Sequence, residues 1–191
     1  MKKLALAAFI TATTLGATSV QAADYVIDTK DAHAFVQFKV NHLGFSWLLG
    51  TFNDFEGTFS YDEANPSAAK VDVTIQVASI DSNHAERDKH LRNADFLNVK
   101  KYPEAKFVST SYTPNGDGTG VMKGQFTLHG TTNEIAIDVK EIGSGQDPWG
   151  NFRRGFEGSV VITPADYGMN YDLGPAAENV EIFLSIEGIR Q

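Results

Sequence analysis

Histidine and acidic side chains near the middle of the chain are the first candidates for chemistry. The chain has five histidines and no cysteine. His84 and Asp88 are four residues apart, so a helix would place them on one face, with His90 largely off that face. A zinc site needs three or four converging ligands, and the sequence has neither an HExxH pair nor a set of cysteines. We therefore predict no metal site here.

Arg87 and His90 indicate a different kind of chemistry. They are three residues apart, so they would be neighbours on the surface of a helix. Guanidinium and imidazole groups bind a phosphate or a quinone carbonyl well. We expect this pair at the mouth of a binding site, facing a polar head group. A purely structural helix is the alternative that the residues leave open.

Sequence motifs for catalysis do not occur in the chain. There is no GxSxG nucleophile motif and no cysteine, and Gly143-Ser144-Gly145 lacks the strand–turn–helix frame of a phosphate-binding loop. We predict a non-enzymatic protein with no catalytic residue and no cofactor. A surface Ser-His-Asp set stays open, although nothing in the sequence favours it.

The first 22 residues have the three-part composition of a secretory signal peptide. Lys2 and Lys3 are followed by an uncharged, mostly apolar stretch to Thr18 and by the cleavage motif Val20-Gln21-Ala22. The stretch has about 15 residues, fewer than the ~20 that a membrane-spanning helix needs, so an uncleaved anchor is the weaker alternative. We predict cleavage after Ala22, one domain over 23–191 and localisation in the periplasm.

The composition of the mature chain excludes some partners. Removing the signal peptide takes away two lysines and no acidic residue, so the net charge falls from −8 to −10. A surface this acidic disfavours nucleic acids and electrostatic docking to anionic membranes. The remaining length corresponds to one domain with a core of its own.

Alternation of apolar and polar residues runs through most of the mature sequence and predicts β-strands. About eight strands, each with one apolar face, would close into a barrel or pack as a sandwich. An outer-membrane barrel also alternates, but a polar insert in mid-chain and the ending Ile189-Arg190-Gln191 argue against it. The alternating segments are 33–42, 52–61, 71–78, 122–128, 135–139, 156–162 and 180–186.

Two segments interrupt the alternation and are predicted to be helical. Residues 82–98 are rich in helix formers, and Asn83 with Glu86 three residues later is typical of a helix start. Residues 43–49 are unusually apolar for a connection and are predicted to form a second short helix.

Several short motifs are spread over the whole mature chain in a specific order and spacing. They are Asn41 to Trp47 (NHLGFSW), Ser79 to Leu91 (SIDSNHAERDKHL), Ala94 to Leu97 (ADFL), Tyr102-Pro103, Asp147 to Gly150 (DPWG) and Asp172 to Pro175 (DLGP). Taken together, these motifs resemble the YceI-like family. The resemblance implies a lipocalin-like antiparallel eight-stranded β-barrel with a helical insert near 83–98. It also implies that a long isoprenoid lipid, such as a polyprenyl lipid or a quinone tail, binds in an elongated apolar cavity.

The apolar strand faces supply the residues that we expect to line such a cavity. Gly57, Gly124 and Gly158 on these faces would either leave open volume or let the strands coil around a solid core. Trp47 and Phe45 are expected at the entrance, whereas Phe35 lies on a polar face for a reason that the sequence leaves open. The predicted ligand-binding residues are Val36, Phe38, Trp47, Phe59, Val73, Ile75, Arg87, His90, Phe126, Phe156, Ile182 and Leu184.

The sequence-based hypothesis is a non-catalytic periplasmic carrier or store for an isoprenoid lipid. Transient contact with a membrane and a homodimer are left open. One alternative is a stress-response or redox auxiliary enzyme that acts on an isoprenoid quinone. The other is a structural or interaction protein with a filled core.

Overall fold

The computed structural model describes residues 22–191. The predicted signal peptide therefore lies outside the described residues except for Ala22, and its cleavage stays a prediction. No helix between residues 22 and 191 is long and apolar enough to cross a membrane.

Antiparallel strands form one sheet that closes on itself because β1 pairs with both β4 and β11. The elements are β1 (Ala23–Ile27), β2 (Phe35–His42), β3 (Ser46–Phe52), β4 (Phe55–Tyr61), β5 (Lys70–Gln76), β6 (Ile80–Asp81), α1 (Ala85–Leu91), β7 (Glu104–Pro114), β8 (Thr119–Leu128), β9 (Thr131–Gln146), β10 (Phe152–Ile162) and β11 (Val180–Arg190).

The closed barrel has eight strands, and β2, β3 and β6 extend three of them. Towards one end β11 pairs with β1, and towards the other end it pairs with β2. β2 therefore extends the line of β1. β3, which precedes β4, extends β4, and β6, which follows β5, extends β5; β3 pairs with both β2 and β6. The predicted all-β, lipocalin-like eight-stranded barrel is confirmed.

The apolar faces of the strands point into the barrel. On β9, Ile137 is buried, whereas Asp138 and Lys140 are exposed on the outer face. This orientation is the reverse of that in an outer-membrane barrel, whose apolar residues face outward. Phe35 is an exception on β2, because it is exposed on the outer face opposite Ser185.

The insert forms a shorter helix than predicted, and its start is different. The N-cap of α1 is His84, whose Nδ1 accepts a hydrogen bond from the Arg87 N–H at 3.2 Å. Asn83 has φ +62° and donates its N–H to the Asp81 carboxylate at 2.8 Å. Asn83 thus belongs to the turn before the helix, and the predicted cap of Asn83 with Glu86 is wrong.

The prediction of a second helix over 43–49 is also wrong. Leu43 and Gly44 have φ +55° and +80°, and the Phe45 N–H bonds to the His42 carbonyl at 2.9 Å. Two consecutive residues with positive φ make the tight turn that joins antiparallel strands, so β2 continues directly into β3. The apolar residues after the turn lie on a strand.

Hydrogen bonds fix α1 across one end of the barrel. The buried Asp88 carboxylate accepts from the Ser82 hydroxyl at 2.5 Å and from the Ser82 N–H at 2.8 Å. Burial alone would raise the pKa of Asp88, but these hydrogen bonds outweigh it and hold the pKa below its usual value. Arg92 donates to the carbonyls of Ala78 and Ile80, so the helix is tied to the segment that follows β5.

Two of the three glycines on the apolar faces allow close packing and do not leave open volume. A Cβ on Gly57 would lie 2.6 Å from the Asp72 carbonyl oxygen, and one on Gly124 would lie 2.5 Å from the Phe107 ring. Gly158 differs because it lines the interior space, where a Cβ would lie 3.1 Å from Ile137.

Candidate functional site

The barrel encloses a cavity of about 940 Å³ that opens at the end covered by α1. Its walls are almost entirely apolar. Ile182, Leu184 and Val160 face this space, and each is only half-buried because the interior beside it is not filled by side chains. The empty interior argues against a protein with a filled core.

Most of the residues predicted to bind a ligand lie around this cavity. They come from six different strands and from α1, so the fold brings together positions that are far apart in the sequence. Their roles in ligand binding stay predictions. The residues in the lining are Val36, Phe38, Phe59, Val73, Ile75, Arg87, His90, Phe126, Phe156, Ile182 and Leu184.

Trp47 is the exception, and its predicted position is corrected. Leu48 points into the cavity, so its neighbour on β3 must point outward. The Trp47 side chain is 58% exposed, and the Lys39 ammonium lies 4.7 Å from its ring centroid. Once 43–49 is a turn and a strand, alternation places Trp47 outside.

Arg87 lies at the rim of the cavity, and Ser82 holds its guanidinium in place. Nε donates to the Ser82 hydroxyl oxygen at 2.7 Å, and Nη2 donates to the Ser82 carbonyl. The same hydroxyl donates to Asp88, so the turn before α1 sets the position of the guanidinium. Nη1 has no hydrogen-bond partner among the residues that the structure describes. A positioned cation with an unused donor can bind an anionic or carbonyl group.

His90 belongs to an aromatic cluster across the mouth. Its ring packs edge-on against Phe96 with centroids 4.9 Å apart, and Phe96 lies 4.7 Å from the Tyr171 ring. Phe96 follows α1, whereas Tyr171 lies on the long connection between β10 and β11. All three rings line the cavity, so its opening is framed by two chain segments.

A group of polar residues that the sequence analysis missed closes the other end of the barrel. Tyr61 and Tyr112 line the cavity there, and burial raises the pKa of each phenol. Beyond them, Arg154 forms ion pairs with Glu141 and Glu63. The signal was present in the sequence, because Arg154 shares a strand face with Phe156, and Glu141 shares one with Val139.

Asp28, His33 and Glu187 form the one grouping of potential metal ligands within residues 22–191. It lies outside the cavity, and a protein cation already occupies it. Arg153 Nη1 is 2.5 Å from the Asp28 carboxylate and 2.6 Å from that of Glu187. A guanidinium at these distances satisfies the carboxylates, so the grouping acts as an ion-pair network that ties β1 to β10 and β11.

An eight-stranded antiparallel barrel with an apolar cavity and one open end defines the class of lipocalin-like barrels. Within that class, the YceI-like domain matches residues 25–188. The chain belongs to the YceI-like family.

Relatives of similar length share this sequence throughout. A UPF0312 protein of Ectopseudomonas mendocina (strain ymp) is 55% identical, and UPF0312 protein Shewana3_1179 of Shewanella sp. (strain ANA-3) is 54% identical. In both comparisons the match covers 100% of each chain.

Solved structures have the same fold. The Campylobacter jejuni YceI protein superposes with a TM-score of 0.71 at 28% identity, covering 80% of this chain and 91% of that one. A polyisoprenoid-binding domain from Saccharophagus degradans superposes with a TM-score of 0.64 at 14% identity, covering 87% and 98%. At that lower identity the likeness concerns the fold alone.

Proposed function

We propose that the cavity holds a long isoprenoid chain noncovalently and that the protein carries or stores this lipid in the periplasm without chemical change to it. The observation that carries the proposal is the apolar cavity that runs from the Arg87 rim to the Tyr61 end. Such a space suits a slender apolar chain with a polar group at one end only. The polyisoprenoid-binding domain of the same fold supports this choice of ligand.

The volume of the cavity limits the size of the chain. At about 30 Å³ for each methylene-sized group, the volume of a liquid water, 940 Å³ holds on the order of thirty groups, or about six isoprene units. A chain of this size has almost no solubility in water, because each methylene that leaves water gains about 0.8 kcal/mol.

Energetics favour exchange with a membrane over irreversible capture. A bilayer is as apolar as the cavity, so transfer between them leaves the hydrophobic free energy nearly unchanged. The N-terminal sequence supports export, which would place the protein beside a membrane. A carrier with these properties moves lipid through water that the lipid cannot cross alone.

Uptake from vesicles tests the proposal. Purified protein is incubated with vesicles that contain a polyprenyl alcohol, separated from them by centrifugation, and analysed by native mass spectrometry. The expected result is one lipid per chain, unmodified in mass. Complete absence of bound lipid would contradict binding, and a changed lipid mass would contradict the non-catalytic role.

Replacing Arg87 by alanine is expected to weaken binding of a polyprenyl phosphate about tenfold, the effect of losing one charge-assisted hydrogen bond. Binding of the matching hydrocarbon without a head group should not change, because the apolar walls remain. Lys89→Ala is the control, since Lys89 lies on the same helix but outside the cavity lining. Titrations with both ligands, with folding checked by circular dichroism, measure the difference. Binding of the polyprenyl phosphate by Arg87→Ala that equals binding by the wild type would remove Arg87 from the site.

The turn between β2 and β3 supports the membrane as the source of the lipid. Phe45, at the tip of the turn, is 86% exposed, and Trp47 beside it is also exposed. Leu43 is both exposed and part of the cavity lining. These aromatic rings lie at the open end, where they can enter the interfacial region of a bilayer. The proposed contact is apolar. After the predicted cleavage the chain carries a net charge of −10, which disfavours electrostatic attraction to anionic lipids.

The double variant Phe45→Ser with Trp47→Ser is expected to slow lipid uptake from vesicles by about tenfold, because apolar insertion that aligns the mouth with the bilayer is lost. The amount bound at equilibrium should stay the same. Ile142→Ser with Trp149→Ser removes two exposed apolar residues outside the cavity lining and is the matched control. Stopped-flow uptake of a fluorescent polyprenyl probe measures the rates. Identical rates in the two double variants would contradict the proposed contact.

A further inference from the structure

Arg154 lies on the inner face of the barrel at the end opposite the mouth. Ile162, at the other end of β10, lines the cavity near its open end. About 26 Å along the strand separates it from Arg154. Phe156, two residues away on the same face, is in the cavity lining, whereas Arg154 itself lies just beyond it. A permanently charged side chain thus lies on the same strand face as the apolar residues of the cavity wall.

The contacts of Arg154 span the barrel. Nη1 donates to Glu141 Oε1 at 2.5 Å, and Nη2 donates to the carboxylate of Glu63, in the connection between β4 and β5. The guanidinium carbon lies 4.5 Å from the ring centroid of Tyr61, which forms the last layer of the cavity. Three chain segments are therefore joined by one side chain that is only 3% exposed.

The guanidinium of Arg154 is almost completely buried and is held on more than one side. The Nε atom of Arg154 is buried without a hydrogen-bond partner in the described part of the chain. Tyr61 covers one face of the guanidinium, and the ion pairs fix its plane. A side chain held in this way cannot swing aside without leaving a charge unpaired in an apolar interior.

We propose that Arg154, fixed by Glu141 and Glu63 behind the ring of Tyr61, closes the floor of the cavity and limits the length of the chain that binds. This inference rests on the proposed function and adds a specificity-determining residue to it. The bulk of the fixed side chain backs the Tyr61 layer, which stops the end of the tail. Further isoprene units must then stay at the mouth in contact with water. Affinity therefore rises with chain length up to the floor and then stops rising.

Binding of a series of polyprenyl alcohols tests the floor. Farnesol, geranylgeraniol, hexaprenol and solanesol, with three, four, six and nine isoprene units, are titrated against the wild-type chain and its variants. Arg154→Ala with Glu141→Ala removes both the bulk and the buried charges. It is expected to bind solanesol about tenfold more tightly relative to geranylgeraniol than the wild type does, which corresponds to burying roughly two further methylene groups.

Two further variants keep the test decisive. Arg154→Met with Glu141→Leu keeps most of the side-chain volume and should keep the wild-type length limit. Arg154→Val with Glu141→Val removes less volume than the alanine pair and should give an intermediate shift, even if the alanine pair does not fold.

The outcomes separate the floor from the proposed function. A wild-type chain that binds none of the alcohols overturns both. If the wild type, the alanine pair and the valine pair bind with the same length limit, only the inference about the floor is overturned. A shift as large in the Met–Leu variant as in the alanine pair also overturns it, because side-chain bulk would then not set the limit.

Discussion

Replacing Arg154 alone by alanine is expected to lower the free energy of unfolding by about 3 kcal/mol, because removing one partner of a buried ion pair leaves the other charge uncompensated. The charge left behind is Glu141, which is mostly buried, whereas Glu63 is largely exposed and returns to water. The double variant Arg154→Met with Glu141→Leu should stay within about 1 kcal/mol of the wild type, since it removes both charges and retains the volume. Urea unfolding at neutral pH measures both.

An exposed ion pair between the same two strands is the control. Lys140 on β9 pairs with Glu157 on β10 at 3.2 Å, and both side chains are well exposed. Lys140→Ala should cost less than about 1 kcal/mol. If Arg154→Ala costs no more than Lys140→Ala does, the floor is open to solvent and the account of a closed end is wrong.

The substitution Val160→Trp is expected to reduce uptake of a polyprenyl lipid by more than about tenfold, because an indole in the middle of the cavity takes the volume that the chain needs. Val160 lines the cavity on β10 and is only half-buried, so the larger side chain grows into empty space. The stability cost should stay within the roughly 1–3 kcal/mol of ordinary overpacking.

The neighbouring residue, Val161, allows the same substitution as a control. Val161 points outward and is 62% exposed, so Val161→Trp adds the same volume outside the barrel. It should bind lipid as the wild type does. Vesicle uptake followed by native mass spectrometry compares the two variants. Equal uptake by both would show that the lipid does not enter the barrel interior.

The strands and the cavity walls could be predicted because a strand has a period of two. Once Ile135, Ile137 and Val139 lie on one face, burial decides which way that face points. The family resemblance added the closure into eight strands. The pattern wrongly predicts a helix over 43–49, because an apolar turn and strand have no polar face to reveal the period.

The polar features at the two ends could not be predicted as well. His84 replaces Asn83 as the helix cap because Asn83 takes up a left-handed turn, which the pattern of residue types does not distinguish. Arg154 and Glu141 are opposite charges on apolar faces of neighbouring strands. Alternation places each of them on an inner face, but it does not give the register between the two strands, in which Glu141 lies opposite Phe156 next to a bulge.

The central claim is that this barrel holds one isoprenoid chain in its interior. Native mass spectrometry of the protein purified from the organism that makes it tests this claim most directly. The account predicts a single bound lipid whose mass changes in steps of whole isoprene units, present in Val161→Trp and absent from Val160→Trp. A protein free of lipid from its own cells that also takes up none from polyprenyl vesicles would contradict it.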